Sequence, residues 1–250
     1  MSEWSANLML FGTGCVAGIL NVVAGGGSFL SLPILIFLGL PATLANGTNR
    51  VAILIQNIGA VWSFHRHGVM DWKSLVWAAL PTTVGAALGA LLALQVGDEA
   101  FKKILAFLMV AVTLWTLWDP FKKKLNHSQT SGGSHLLGLT SGFFVVGIYS
   151  GFVQAGVGFL ILTATTLAGF NLVKGNAIKV LVLLASMIVS LTVFASQGMV
   201  NWTMGFVLGV GSLLGGLLGV KLTVLKGHVW IKHFVTATVI IFALQLWFFD

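Results

Sequence analysis

Apolar residues dominate this chain for about a bilayer's width at a time, and what interrupts them is mostly glycine clusters or short polar stretches. The runs 72–94, 100–118, 174–196, 202–225 and 229–248 each approach or exceed the roughly 20 residues an α-helix needs to cross a hydrocarbon core. A further helix is predicted over about 43–64. Two other apolar segments are broken by glycine, at Gly25-Gly26-Gly27 and at Gly156-Val157-Gly158. The arms that follow, 29–40 and 159–170, are about 12 residues, or roughly 18 Å as helix, too short for a core of about 30 Å. Each broken segment therefore predicts a hairpin that enters and returns on one side, over 7–40 and 135–170.

The pattern repeats at an offset of 130. Gly12 meets Gly142, Gly26 meets Gly156, Asn46 meets Asn176, Gly68 meets Gly198, Trp72 meets Trp202, and Gly85 and Gly89 meet Gly215 and Gly219, all in one gapless register. Glycines and rarer residues recurring this way point to duplication. The chain divides into a first repeat, 1–120 (hairpin 7–40, helices about 43–64, 72–94 and 100–118), a basic linker, 121–134, and a second repeat, 135–250 (hairpin 135–170, helices about 174–196, 202–225 and 229–248). The predicted fold is an all-α integral membrane protein, two repeats each made of a glycine-broken helical hairpin plus three transmembrane helices.

Composition agrees: 57% of residues are hydrophobic and 8% charged, against about a quarter charged in soluble domains. Lys and Arg number 13 and Asp and Glu 6. In so apolar a chain that excess reads as the positive-inside bias and excludes nucleic acid as a partner. If each hairpin returns to its own side, Arg66, Lys73, Lys122, Lys123, Lys124, Lys174, Lys179, Lys226 and Lys232 share one face, and Arg50, Lys102 and Lys103 the other. That is nine against three, whereas four net crossings per half would leave no bias. The count predicts inverted repeats, a cytoplasmic linker and both termini outside the inner (plasma) membrane. The run 8–24 has no basic region before it and is read as retained rather than as a signal peptide. Cys15, the single cysteine, allows no intrachain disulfide.

Broken helices in inverted repeats are a transporter plan, because irregular backbone at membrane depth needs protein or a water-filled cavity around it. Two glycine tips meeting near the midplane offer helix N-termini to an anion. Candidate substrate-binding residues are Gly25, Gly26, Gly27 and Ser28 at one tip and Gly156 and Gly158 at the other. Asn21 and Gln154 stand just ahead of the tips. Asn46, Thr48, Asn49 and Arg50, with Gln56 further along, and Asn176 and Lys179 in the second half, complete the set. Arg50 and Lys179 are one position out of register, so each half retains a cation. They either contact the anion or snorkel or cap a neighbouring helix. The G-xxx-G pairs Gly85/Gly89, Gly211/Gly215 and Gly215/Gly219 read as helix packing. All six acidic residues fall at helix ends or in loops, which argues against an embedded proton relay or a metal-cation path. No catalytic constellation, cofactor site or metal site is evident, so the chain is read as a non-enzyme.

The motifs AGGGSFLSLP, ANGTNR and HGVMDW, with weaker echoes such as QAGVGFLILT, resemble the TauE/SafE sulfite exporter family, also called TSUP, over essentially the whole chain. The second tip departs from the first in lacking the triple glycine and a counterpart of Pro33. The resemblance implies transport of small sulfur-containing oxyanions such as sulfite, sulfoacetate or other organosulfonates. It supports Gly25, Gly26, Gly27, Asn46, Thr48, Asn49 and Arg50, and Gly156, Gly158, Asn176 and Lys179. The expected function is an anion transporter, exporting, by alternating access around the tips. An anion channel using the same site is the alternative, and a membrane enzyme or assembly partner a third reading. The expected partners are the anion and the lipid bilayer, with a homo-oligomer left open. A reporter fused after Asp250 is expected to score as external; a cytoplasmic signal would overturn the topology.

Overall fold

The computed structural model describes residues 2–70, 72–117 and 133–248, with side chains placed except in 73–76, 113, 115–117, 133–139 and 227–248. The basic linker, with Lys122, Lys123 and Lys124, lies mostly outside the described residues, as do Asp71, Asp119 and Asp250. Among the described residues all regular structure is helical: α1 (Glu3–Val23), α2 (Ser28–Phe37), α3 (Ala42–Arg66), α4 (Lys73–Gln95), α5 (Asp98–Leu117), α6 (Gly133–Phe152), α7 (Val157–Leu167), α8 (Leu172–Ser196) and α9 (Trp202–Phe248).

The breaks fall at the glycine clusters, and the arms α2 and α7 are 10 and 11 residues long. The boundary expected between 225 and 229 is a correction: α9 is one helix of 47 residues. Nothing there stops a helix. Gly227 is the only breaker, no proline follows it, and one glycine disfavours a helix by only about 1 kcal/mol. Backbone conformation repeats at the offset of 130. Gly39 and Gly169 both adopt positive φ (95° and 89°), as do Gly68 and Gly198 (66° and 69°). In each case the chain is turning out of a helix.

The halves do not sit side by side. The most extensive packing pairs α1 with α9 and α4 with α6, followed by α3 with α9 and α4 with α8, and α3 meets α8 between them. Each interface thus joins an element of one half to an element of the other, and its counterpart at the offset of 130 does the same. Small residues permit the approach. A Cβ on Gly211 or Gly215 would strike the Phe11 or Cys15 carbonyl of α1, and one on Gly85 or Gly89 the Phe144 or Ile148 carbonyl of α6. The G-xxx-G pairs are packing seams, as their spacing predicts.

Polarity is distributed inside out. Arg50, Lys179, Asn46 and Asn176 are 0% exposed, while Leu8 is 73%, Leu80 63% and Val84 57% exposed. Leu80, Val84 and Leu88 on α4, and Val210, Leu214 and Leu218 at the same repeat positions of α9, form outward stripes that only an apolar solvent would favour. Among the described residues, four stretches are long and apolar enough to cross a membrane: Glu3–Val23, Trp77–Gln95, Leu172–Ser196 and Trp202–Lys226. The polar opening of α3 is tolerated because residues 45–53 are buried in protein.

Overpacking a tight seam is expected to destabilise by about 1–3 kcal/mol. Gly89→Ala and Gly215→Ala are therefore expected to lower the thermal midpoint of the detergent-solubilised protein, whereas Gly12→Ala, with nothing within 4 Å of its Cβ, leaves it unchanged or raises it. Equal effects at all three positions would contradict the seam geometry.

Candidate functional site

The two breaks are held open by different means and brought together by the same one. At the first, the Gly25 N–H bonds the Leu20 carbonyl at 2.9 Å as Gly25 turns to φ 94°. Asn21 then spans the gap, its Oδ1 accepting from the Gly27 N–H at 3.1 Å and its Nδ2 donating to Gln56 Oε1 at 3.2 Å. At the second, Gly156 takes φ 72°. There Tyr149, the chain's only tyrosine, donates its hydroxyl to the Ala155 carbonyl at 2.6 Å. The tips meet where Gly25 and Gly158 touch backbone to backbone, leaving no room for a Cβ on either. Beside them Phe29 and Phe159, equivalent in the two halves, stack with centroids 6.1 Å apart.

A helix that ends inside a low-dielectric interior leaves its last carbonyls needing donors. α1 receives them from α8: Lys179 Nζ donates to the Asn21 and Val22 carbonyls, each at 2.8 Å, and Asn176 Nδ2 to the Val23 carbonyl at 3.3 Å. α6 receives them from α3: Arg50 donates Nη1 to the Ser150 carbonyl at 3.2 Å and Nη2 to the Gly151 carbonyl at 2.5 Å, and Asn46 Nδ2 reaches the Phe152 carbonyl at 2.9 Å. The Arg50 guanidinium also lies 4.5 Å from the centroid of the Phe194 ring. Helix C-termini carry partial negative charge, so each cation meets a favourable dipole. Of the readings open for Arg50 and Lys179, the structure displays capping of a neighbouring helix, and neither lies in a loop.

The remaining predicted residues divide. Asn49 ties α3 to α2, donating to Ser28 Oγ at 3.2 Å and accepting from Ser31 Oγ at 2.7 Å. Thr48 instead holds the start of α9, its Oγ1 accepting from the Asn201 N–H at 2.9 Å. Gly26 closes the first turn of α2, its carbonyl accepting from the Phe29 N–H at 3.0 Å. Gln154 is buried against Met187, to whose sulfur its Nε2 donates at 2.6 Å. Sequence reasoning missed Ser150, Tyr149 and Phe194. A lone tyrosine and a serine inside an apolar helix, immediately ahead of a break, were the available signals. It also missed Asp98, whose carboxylate accepts from the Thr43 N–H at 2.8 Å and caps α3. Asn171 does the same locally for α8, accepting from the Lys174 N–H at 2.9 Å. Among the described residues no carboxylate is buried, so the two cations at this junction have no acidic partner among them.

The family described as sulfite exporter TauE/SafE matches residues 10–246. A "Probable membrane transporter protein" of Haemophilus influenzae is 35% identical, covering 91% of this chain and 89% of its own. "Probable membrane transporter protein ORF9" of a Sinorhizobium species is 32% identical, over 95% and 90%. "Probable membrane transporter protein YfcA" of Escherichia coli is also 32% identical, over 90% and 83%. No solved structure matches. The chain belongs to the TauE/SafE family and is a transmembrane transporter of that family.

Replacing Lys179 by Met leaves three buried oxygens without their donor, at about 1–3 kcal/mol for each acceptor. The variant is expected to lose most of its monodisperse fraction on size exclusion and to unfold at markedly lower temperature. Wild-type behaviour would show that the α1 carbonyls need no cap.

Proposed function

We propose that this transporter moves small sulfur-containing oxyanions, such as sulfite, sulfoacetate or other organosulfonates, outward across the inner membrane by alternating access around the junction of the two glycine tips. The observation that carries the reading is a buried junction of two broken helices with two cations and no buried carboxylate among the described residues. An enclosed excess of positive charge favours an anion. The family description supports sulfite as the first substrate to try.

The halves are read as inverted repeats, with the tips near the midplane and the amino terminus outside; the unbroken α9 provides no return crossing that would bring the carboxyl end to the same side. Support comes from the exchange of every major interface at the offset of 130 and from the stacking of equivalent Phe29 and Phe159. With the buried Arg50 and Lys179 removed from the loop count, and Lys226 and Lys232 removed because α9 runs through them, the cations still divide six against two. The set proposed to surround the junction is Asn21, Gly25, Gly26, Gly27, Ser28, Asn46, Asn49, Arg50, Gln56, Gln154, Gly156, Gly158, Asn176 and Lys179, with Thr48 fixing the start of α9 behind it.

Export of an anion from a cell negative inside gains about 2.3 kcal/mol per charge per 100 mV, so the potential alone suffices. Purified protein in proteoliposomes is expected to release sulfite on imposition of a potential, without a proton or sodium gradient. An absolute requirement for either gradient would refute uniport, and single-channel currents would favour an anion channel at the same site. Arg50→Ala is expected to weaken anion binding by about tenfold or more, against little change for Lys102→Ala on the exposed start of α5. Equal losses would remove Arg50 from the site.

A further inference from the structure

The two buried cations differ in what they leave available. An ammonium group has three N–H donors, and that of Lys179 meets three oxygens: the Asn21 and Val22 carbonyls at 2.8 Å each and Asn176 Oδ1 at 2.6 Å. Asn176 commits its Nδ2 to the Val23 carbonyl, so this side is closed. On the other side, Arg50 Nε, Ser150 Oγ and Asn46 Oδ1 all lack a partner among the described residues. All three residues are 0% exposed. Buried polar atoms are seldom left unpaired, so three at one place call for a ligand.

Their residues are tied together. Asn46 and Arg50 stand one turn apart on the same face of α3 and reach the carbonyls of the same three residues, Ser150 to Phe152. The identity of each atom is also settled. Asn46 must turn its Nδ2 to the Phe152 carbonyl, which can only accept, so the atom left over is an acceptor. The arrangement thus offers an N–H from a guanidinium, a hydroxyl, and one carbonyl oxygen that needs a donor.

We propose that the Arg50 side alone recognises the transported anion, and that it selects an oxyanion still carrying one O–H, the monoanion of a weak diprotic oxyacid. Arg50 Nε and Ser150 Oγ donate to the anionic oxygens, and Asn46 Oδ1 accepts from the O–H. A fully ionised oxyanion, or one capped by an alkyl group, turns an oxygen or a methyl towards Asn46 Oδ1. A site with a buried polar group left unmatched rejects such analogues strongly. Lys179 acts as a brace. The proposal rests on the reading of the chain as an oxyanion transporter and narrows its substrate class. Because the three residues are enclosed, ligand entry requires α3 and α6 to part.

The titratable and charged groups around the site are Arg50 itself, Tyr149 next to Ser150 on α6, and Lys179 on α8. No histidine or carboxylate is buried among the described residues, and any titration of Arg50 or Lys179 would act on an anion without an O–H as well, which the second ligand below reports. The test is calorimetric titration of the purified full chain with sulfite, from below to above its second dissociation, beside methanesulfonate, which has no O–H at any of these pH values. Apparent affinity for total sulfite is expected to fall in step with the protonated fraction as pH rises, while methanesulfonate binds weakly throughout. Ser150→Ala removes a hydroxyl that has no partner, and is expected to keep the wild-type thermal midpoint while weakening sulfite binding about tenfold. Sulfite binding independent of pH, methanesulfonate bound as tightly, or an unaltered Ser150→Ala affinity would each overturn the selection. Failure of the wild type to bind or transport either anion at any pH would instead overturn the transport reading beneath it.

Discussion

A helix that ends inside the protein interior must find donors for its last carbonyls, and in this chain the donors come from the opposite half. α1 is capped by α8 and α6 by α3, in both cases by one asparagine and one cation a turn apart. The two cations are out of register, yet each still reaches carbonyls at the end of a broken helix. Arg50, one step later than Lys179 in its repeat, reaches the carbonyls of residues 150 and 151, one step earlier than the counterparts of 21 and 22. Identity is free to vary there so long as a donor arrives at the helix end.

That bracing determines much of the remaining structure. To deliver their donors, α3 and α8 must lie against the broken helices of the other half, and so the halves interleave. Interleaving then demands close backbone approach along α1–α9 and α4–α6, which only small residues allow. The polar material is drawn to the centre, and the faces left outside are leucine and valine stripes suited to lipid.

Much of this was legible in the chain itself. The glycine breaks, the short arms, the packing glycines and most helix ends follow from patterns that residue type carries directly. The partners of Arg50 and Lys179 were not legible, because they are backbone carbonyls and every residue has one. Nor was the difference between the two breaks, since a staple made by Asn21 in one and by Tyr149 in the other leaves no shared signature. The continuity of α9 was missed for another reason. A bilayer-length ruler divides a long apolar stretch wherever a glycine allows it, while a helix needs a stronger reason to stop.

The pairing of α1 with α9 bears on how the protein is made. Gly14 and Gly18 press against Leu208 and Ser212, far along the chain, so α1 meets its principal neighbour only after the helices between them have been made. Until then its small-residue face, and the carbonyls at its end that await Lys179, are without their native partners. Insertion has to precede assembly, and the membrane, or an insertase holding the early helices, must keep them apart from wrong partners while the rest of the chain is synthesised.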